Sequence, residues 1–329
     1  MQFELINRSR KAWVDALRGL AILLVIYGHC VKNFHLFFVL TSPFKMPLFF
    51  AISGYVFSST SRNENISVFF LGLIRKIFVP WMFLGLFPAL VTIPINGLRH
   101  VVDVLLLMIS GKYLWFMPCF FVAEIIWFFI QRYIKKNGWV IAAAFLSFTL
   151  GFYLHRNGLM NYAMVNRALC VQPFFLIGFL FKRYESRLIS IRWSWIVVSA
   201  IAYIALCLIG DLFISNKVID VHLNHYNNIM YNMILIFLSC VLLFTSASKA
   251  NISSTIMSFV GQNTLVLYIW HGLLIVVTVH ALSIVFDYSL PKNWWTALIL
   301  TVYACVCCGV GAIVLNRFFP FLVGKRRRK

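Results

Sequence analysis

The chain has 329 residues, 62% hydrophobic, 17% aromatic and only 12% charged, with a formal net charge of +20 and a mean hydropathy of +0.88. Such apolar content exceeds what a soluble domain carries and makes this an integral membrane protein. Its basic residues flank apolar runs, the pattern of inner-leaflet contact, which argues for membrane lipids and against nucleic acid as partners.

Runs long enough to cross the bilayer, at about 20 residues each, fall near 15–35, 40–58, 77–96, 114–131, 139–154, 168–181, 193–214, 229–247, 264–286 and 295–318. The first follows "NRSRKAW" and has no small-residue cleavage site, so it reads as a retained helix and not a secretory signal. It carries Arg18 and, eleven positions on, His29. At about 100° and 1.5 Å per residue they share one face and stand about 16 Å apart along the axis. Ionisable groups at that depth are costly unless they meet a cavity or partner. Asp15, three residues before Arg18, is placed to fix its guanidinium, or to sit at the helix N-terminus for the dipole alone.

The second run holds Lys45 and "ISGY", whose Ser53 and Gly54 suit close helix packing. Arg75 and Lys76 fall where an inner loop is expected to meet the third span. Val101–Ser110 is too short to cross. Trp115 and Phe116 open the fourth span at the level of an outer aromatic belt, and Glu124 lies within that span as either a histidine-orienting group, an Arg18 partner or a structural carboxylate. The sixth run is short. The loop 220–232, "DVHLNHYNNIMYN", offers hydrogen-bonding side chains on the outer side. His271 stands about eight residues into the ninth span, and "KRRRK" closes the chain at 325–329.

With the N-terminus inside, and leaving out Arg18, lysine and arginine divide 20 inside against 8 outside, which favours both termini in the cytoplasm. The predicted fold is therefore an all-α integral membrane protein: one domain over 1–329, a bundle of about ten transmembrane helices. The eight cysteines sit in or beside apolar runs as small packing residues, and "CVCC" lacks the neighbours of a metal site, so no metal is expected. The "NIS" sequences at Asn65 and Asn251 face the inner side, where glycosylation is not expected.

Five stretches together resemble the acyltransferase 3 family of membrane O-acyltransferases, in its fucose 4-O-acetylase-like branch. They are "WVDALRGLAILLVIYGH", "PFKMPLFFAISGYVFS", "FLGLIRKIFVPW", "YLWFMPCFF" and "GQNTLVLYIWH", matching in order and spacing over most of the chain. One departure stands out: Lys45 occupies a position where many relatives of that branch have histidine, which suggests a different acceptor. The resemblance implies His29 as catalytic base, Arg18 in donor binding, and His271 as an orienting group or second acid/base. It implies acetyl-CoA as acyl donor, its phosphates held by Arg18, Arg75 and Lys76. The acceptor is a cell-envelope glycan or lipid-linked saccharide, with Lys45, Trp115 and Glu124 as candidate contacts, and the location a bacterial inner membrane. A transporter or flippase of lipid-linked sugars, with Arg18 and His29 lining its pathway, is the alternative that the intramembrane charges also allow.

Overall fold

The computed structural model describes residues 11–31, 34–57, 64–91, 93–214, 219–286 and 293–325. Arg8, Arg10, Lys32, Arg62, Lys217, Lys292 and residues 326–329 of the basic tail, all counted in the charge reading, lie outside them. The described chain is helical: α1 (Ala12–Cys30), α2 (His35–Lys45), α3 (Pro47–Phe57), α4 (Ile66–Leu73), α5 (Val79–Val91), α6 (Ile93–Ile109), α7 (Phe116–Tyr133), α8 (Asn137–Arg156), α9 (Val165–Cys170), α10 (Gln172–Ile189), α11 (Trp193–Phe213), α12 (Ile229–Lys249), α13 (Thr255–Gln262), α14 (Thr264–Phe286) and α15 (Trp294–Phe318). Among the described residues there is no strand, only one isolated bridge between Asp220 and His225. Hydrocarbon offers the backbone no partner, so each crossing segment satisfies its own amides as a helix.

Nine helical stretches among the described residues are long and apolar enough to cross, and ten if a pair bent by 48°, Tyr162–Cys170 with Gln172–Ile189, forms one span. That bend accounts for the short sixth run. The third span differs from the sequence reading. Its helix begins at Ile66, so Arg75 and Lys76 lie well inside it, within a π-helical turn at Ile74–Phe78 that joins α4 to α5. Pro80 supplies the physical reason: its ring clashes with the carbonyl four residues back and leaves that carbonyl without an amide donor. In α6 the backbone leaves helical geometry at Gly97, with φ 73° and ψ 171°, so the helix that continues beyond it is too short to cross.

Small residues set the closest crossings. Gly54 of α3 lies against the Phe175 carbonyl of α10, and Gly178 of α10 against the Ala51 carbonyl of α3; a Cβ at either would overlap backbone. Gly19 of α1 similarly faces Met257 of α13, where a Cβ would stand 2.6 Å from its carbonyl oxygen. Around these crossings Phe50, Trp127, Phe174, Phe175, Phe181 and Phe244 are fully buried.

A polar clasp closes one end of the bundle. Glu185 of α10 accepts from Lys11 Nζ (2.6 Å), Tyr55 Oη (3.0 Å), Lys182 Nζ (3.3 Å) and Ser248 Oγ (3.4 Å), tying the start of α1 to α3 and α12. Glu185→Gln removes the charge that both ammonium groups face. It is expected to cost about 1–3 kcal/mol, read as a lower melting temperature of the detergent-purified protein.

Candidate active site

Arg18 sits two turns into α1 because the helix must continue through it to reach the apolar run, and its surroundings explain how it is tolerated. Its Nη1 lies 3.6 Å from Asp15 Oδ1 one turn back. Asp15 is only 2% exposed, and its second oxygen accepts from Gln262 Nε2 at 3.2 Å. The approach is possible because Gly261, next to Gln262, packs directly on the Asp15 backbone. The Asp15 and Arg18 pairing expected from their spacing is therefore present. Nothing local to "GQN" points to a residue on the first helix, so the sequence by itself does not reveal Gln262 as this partner.

Arg18, Lys76, Glu124, Ser53 and Gln262 line a cavity of about 570 Å³, within the size range of small-molecule sites. Ser53 Oγ donates to Glu124 Oε1 at 3.0 Å, so the serine serves that carboxylate. Arg75 does not line the cavity: its Nε is buried without a hydrogen-bond partner among the described residues. Phe49, Phe116, Phe120 and Tyr268 also line it, and their rings interlock, with centroids 5.5 Å apart for Phe49 and Phe116, 5.2 Å for Phe116 and Phe120 and 5.3 Å for Phe116 and Tyr268. The backbone helps to hold this aromatic layer. Leu114 takes a left-handed φ of 53° just before α7, and the Phe116 N–H donates to Tyr268 Oη at 3.3 Å.

A second group of predicted site residues lies outside the cavity lining. His271, one turn after Tyr268 on α14, is 5% exposed, and its ring faces that of His29 with centroids 5.2 Å apart. His271 Nδ1 is 2.8 Å from the Leu267 carbonyl, which can only accept, so Nδ1 carries the proton and Nε2 the lone pair. His29 itself is exposed, near the end of α1. Lys45 reaches the same place: its Nζ comes within 3.5 Å of where a Cβ on Gly28 would be.

The loop after α11 covers this end. His222 stacks on Trp115 at 4.9 Å, and Arg167 Nε donates to the His222 carbonyl at 3.0 Å. Burial pushes the His222 imidazole below its ordinary pKa; the Asp220 charge works against that shift and the Arg167 charge with it. The predicted site residues thus fall into two groups. Arg18, Lys76 and Glu124 line the cavity, with Asp15 paired to Arg18, while His29, His271 and Lys45 gather outside its lining and Trp115 lies beneath the covering loop.

The bundle of candidate membrane spans thus holds a chamber lined by Arg18 and Lys76 and, outside that lining, a facing pair of imidazoles. Residues 11–313 match the Acyl_transf_3 family, described as an acyltransferase domain, and the chain belongs to that family. Membership of that family favours catalysis over transport as the reading of the intramembrane charges. The chain is also 24% identical over 238 residues to the nodulation protein NolL of Mesorhizobium japonicum, covering 66% of this chain and 61% of that protein. It thus spans about three-fifths of that relative's length. No solved structure matches.

Proposed function

We propose that this acyltransferase carries an acetyl group from acetyl-CoA to a hydroxyl of a cell-envelope glycan or lipid-linked saccharide in a bacterial inner membrane, with His29 as general base. The observation that carries this reading is the two-sided arrangement along α1: Arg18 in the cavity and His29 about 16 Å farther, facing His271. The donor fits the cavity in chemistry, because Arg18 and Lys76 offer charge to phosphate groups while Gln262 and Glu124 offer polar contacts to an amide-bearing arm. With the clasp end of the bundle in the cytoplasm, as the lysine and arginine distribution favours, the cavity faces the cytoplasmic donor and the histidines face the exported acceptor.

Each residue then has a defined task. Asp15, held by Gln262, aims the Arg18 guanidinium into the cavity. His29 takes the proton of the attacking hydroxyl, and His271, its tautomer set by the Leu267 carbonyl, presents Nε2 as an acceptor that can orient the His29 ring. Glu124 and Ser53 form a fixed polar pair along the donor's path.

The test is coenzyme A binding by titration calorimetry together with thiol release from acetyl-CoA, using purified full-length protein and an extract of lipid-linked saccharides. Wild type is expected to bind and to release thiol in an extract-dependent manner. Arg18→Ala is expected to weaken coenzyme A binding about 10- to 100-fold, the scale of a lost hydrogen bond to a charged group. Folded wild-type protein that neither binds nor turns over acetyl-CoA would refute the donor assignment.

A further inference from the structure

Lys45, an acceptor-contact candidate in the sequence, stands as a cation close to the histidine pair. Among the described residues its ammonium has no hydrogen bond or ion pair. It lies over the rings of Phe38, at 4.9 Å, and Phe37, at 5.9 Å, aromatic faces that stabilise a cation without neutralising it. α2 and α3 break at Met46, and from the end of α2 the Lys45 side chain reaches to Gly28, immediately before His29. Its charge acts on the His29 imidazole, and that of Asp220 acts on Lys45 from beyond ion-pair distance. Two other cations among the described residues are placed elsewhere. Arg18 is about 16 Å back along α1, and Arg167 is engaged by Asn161 Oδ1, Asn166 Oδ1 and the His222 carbonyl.

We propose that Lys45 is a catalytic residue of the transfer: its ammonium holds the negative charge that develops on the acetyl carbonyl oxygen when the acceptor hydroxyl adds. This rests on the acetyl-transfer reading above. In the step, the acceptor oxygen forms a bond to the carbonyl carbon as its proton passes to His29, and the carbonyl π electrons move onto oxygen, where Lys45 meets them. Collapse reforms the carbonyl and breaks the C–S bond. The leaving thiolate takes the proton from His29, giving acetylated acceptor and free coenzyme A. A fixed cation is most effective where charge appears only in the transition state, and a low-dielectric surround strengthens it. Asp220 favours this role over recognition of an acidic acceptor: its negative charge, acting on the same place as Lys45, disfavours an acidic sugar there.

The experiment uses purified full-length protein, acetyl-CoA, and an envelope lipid-linked saccharide extract separated by anion exchange into neutral and anionic pools. Lys45→Met, close in length and apolar bulk, is expected to lower kcat about 100- to 1000-fold on whichever pool wild type uses. Coenzyme A affinity and the apparent KM for acceptor are expected to stay at wild-type values, and Lys45→Arg to keep kcat within about tenfold of wild type. Unchanged coenzyme A affinity also certifies that the variant is folded. Wild-type kcat in Lys45→Met would overturn the proposal. So would a loss seen only as a raised KM for the anionic pool, which assigns Lys45 to acceptor charge. Absence of thiol release by wild type would strike the acetyl-transfer reading first and take this inference with it, a result told apart from the others by the wild-type rate alone.

Discussion

His29→Ala is expected to abolish acyl transfer while the protein remains folded in the membrane and still binds coenzyme A. The argument has three parts. An alcohol is a poor nucleophile near neutral pH, and a positioned base contributes about 10²- to 10⁴-fold. His29 is exposed at the end of α1 where a hydroxyl can reach it, unlike His271, which is buried and committed at Nδ1 to a backbone carbonyl. His29 is not among the residues that line the cavity, so a truncated side chain at position 29 leaves its walls untouched. Thiol release and coenzyme A affinity are read on the same preparation. A fall in turnover of at least about 100-fold with affinity retained assigns the base, whereas wild-type turnover removes it. His271→Gln, which keeps a hydrogen-bonding side chain, is expected to lose less than His29→Ala.

Gly178→Val is expected to be the most damaging substitution for the fold. On α10 this glycine lies against the Ala51 carbonyl and the Tyr55 amide of α3, and Gly54 makes the reciprocal approach to Phe175. A branched side chain there meets rigid helical backbone, which cannot shift aside as a flexible side chain would, so the cost exceeds the 1–3 kcal/mol of ordinary overpacking. The helices would separate, disturbing the Ser53 and Glu124 pair and the Glu185 clasp, both of which span this crossing or its end. Little monodisperse protein is expected on size-exclusion chromatography in detergent. A wild-type elution profile and melting temperature would show that the crossing has more room than its backbone contacts imply.

Much of this was legible in the linear sequence. Hydropathy marked each span, because a bilayer-crossing helix is a local solution to a local cost. The α-helical period put Arg18 and His29 on one face, and three-residue spacing brought Asp15 to Arg18. The displaced boundary of the third span also has a local cause. The third span was started at 77 because Arg75 and Lys76 looked like a helix boundary, yet the helix runs through them by loosening into a π turn before Pro80. Nothing near Trp115 in the sequence shows that one of its faces meets His222, from a loop more than a hundred residues away.

By itself, then, the sequence determined the membrane class, the spans and the first-helix charge pair, since these depend on composition and on neighbours within about two helical turns. Only the tertiary structure decided which distant groups meet. Gln262 reaches Asp15 across 247 positions, Glu124 takes Ser53 as its partner, Lys45 arrives at Gly28 beside His29, and four aromatic rings from three helices meet along the cavity. Those pairings follow from the depth and rotation at which helices cross, which glycine contacts between remote segments set and no local periodicity encodes.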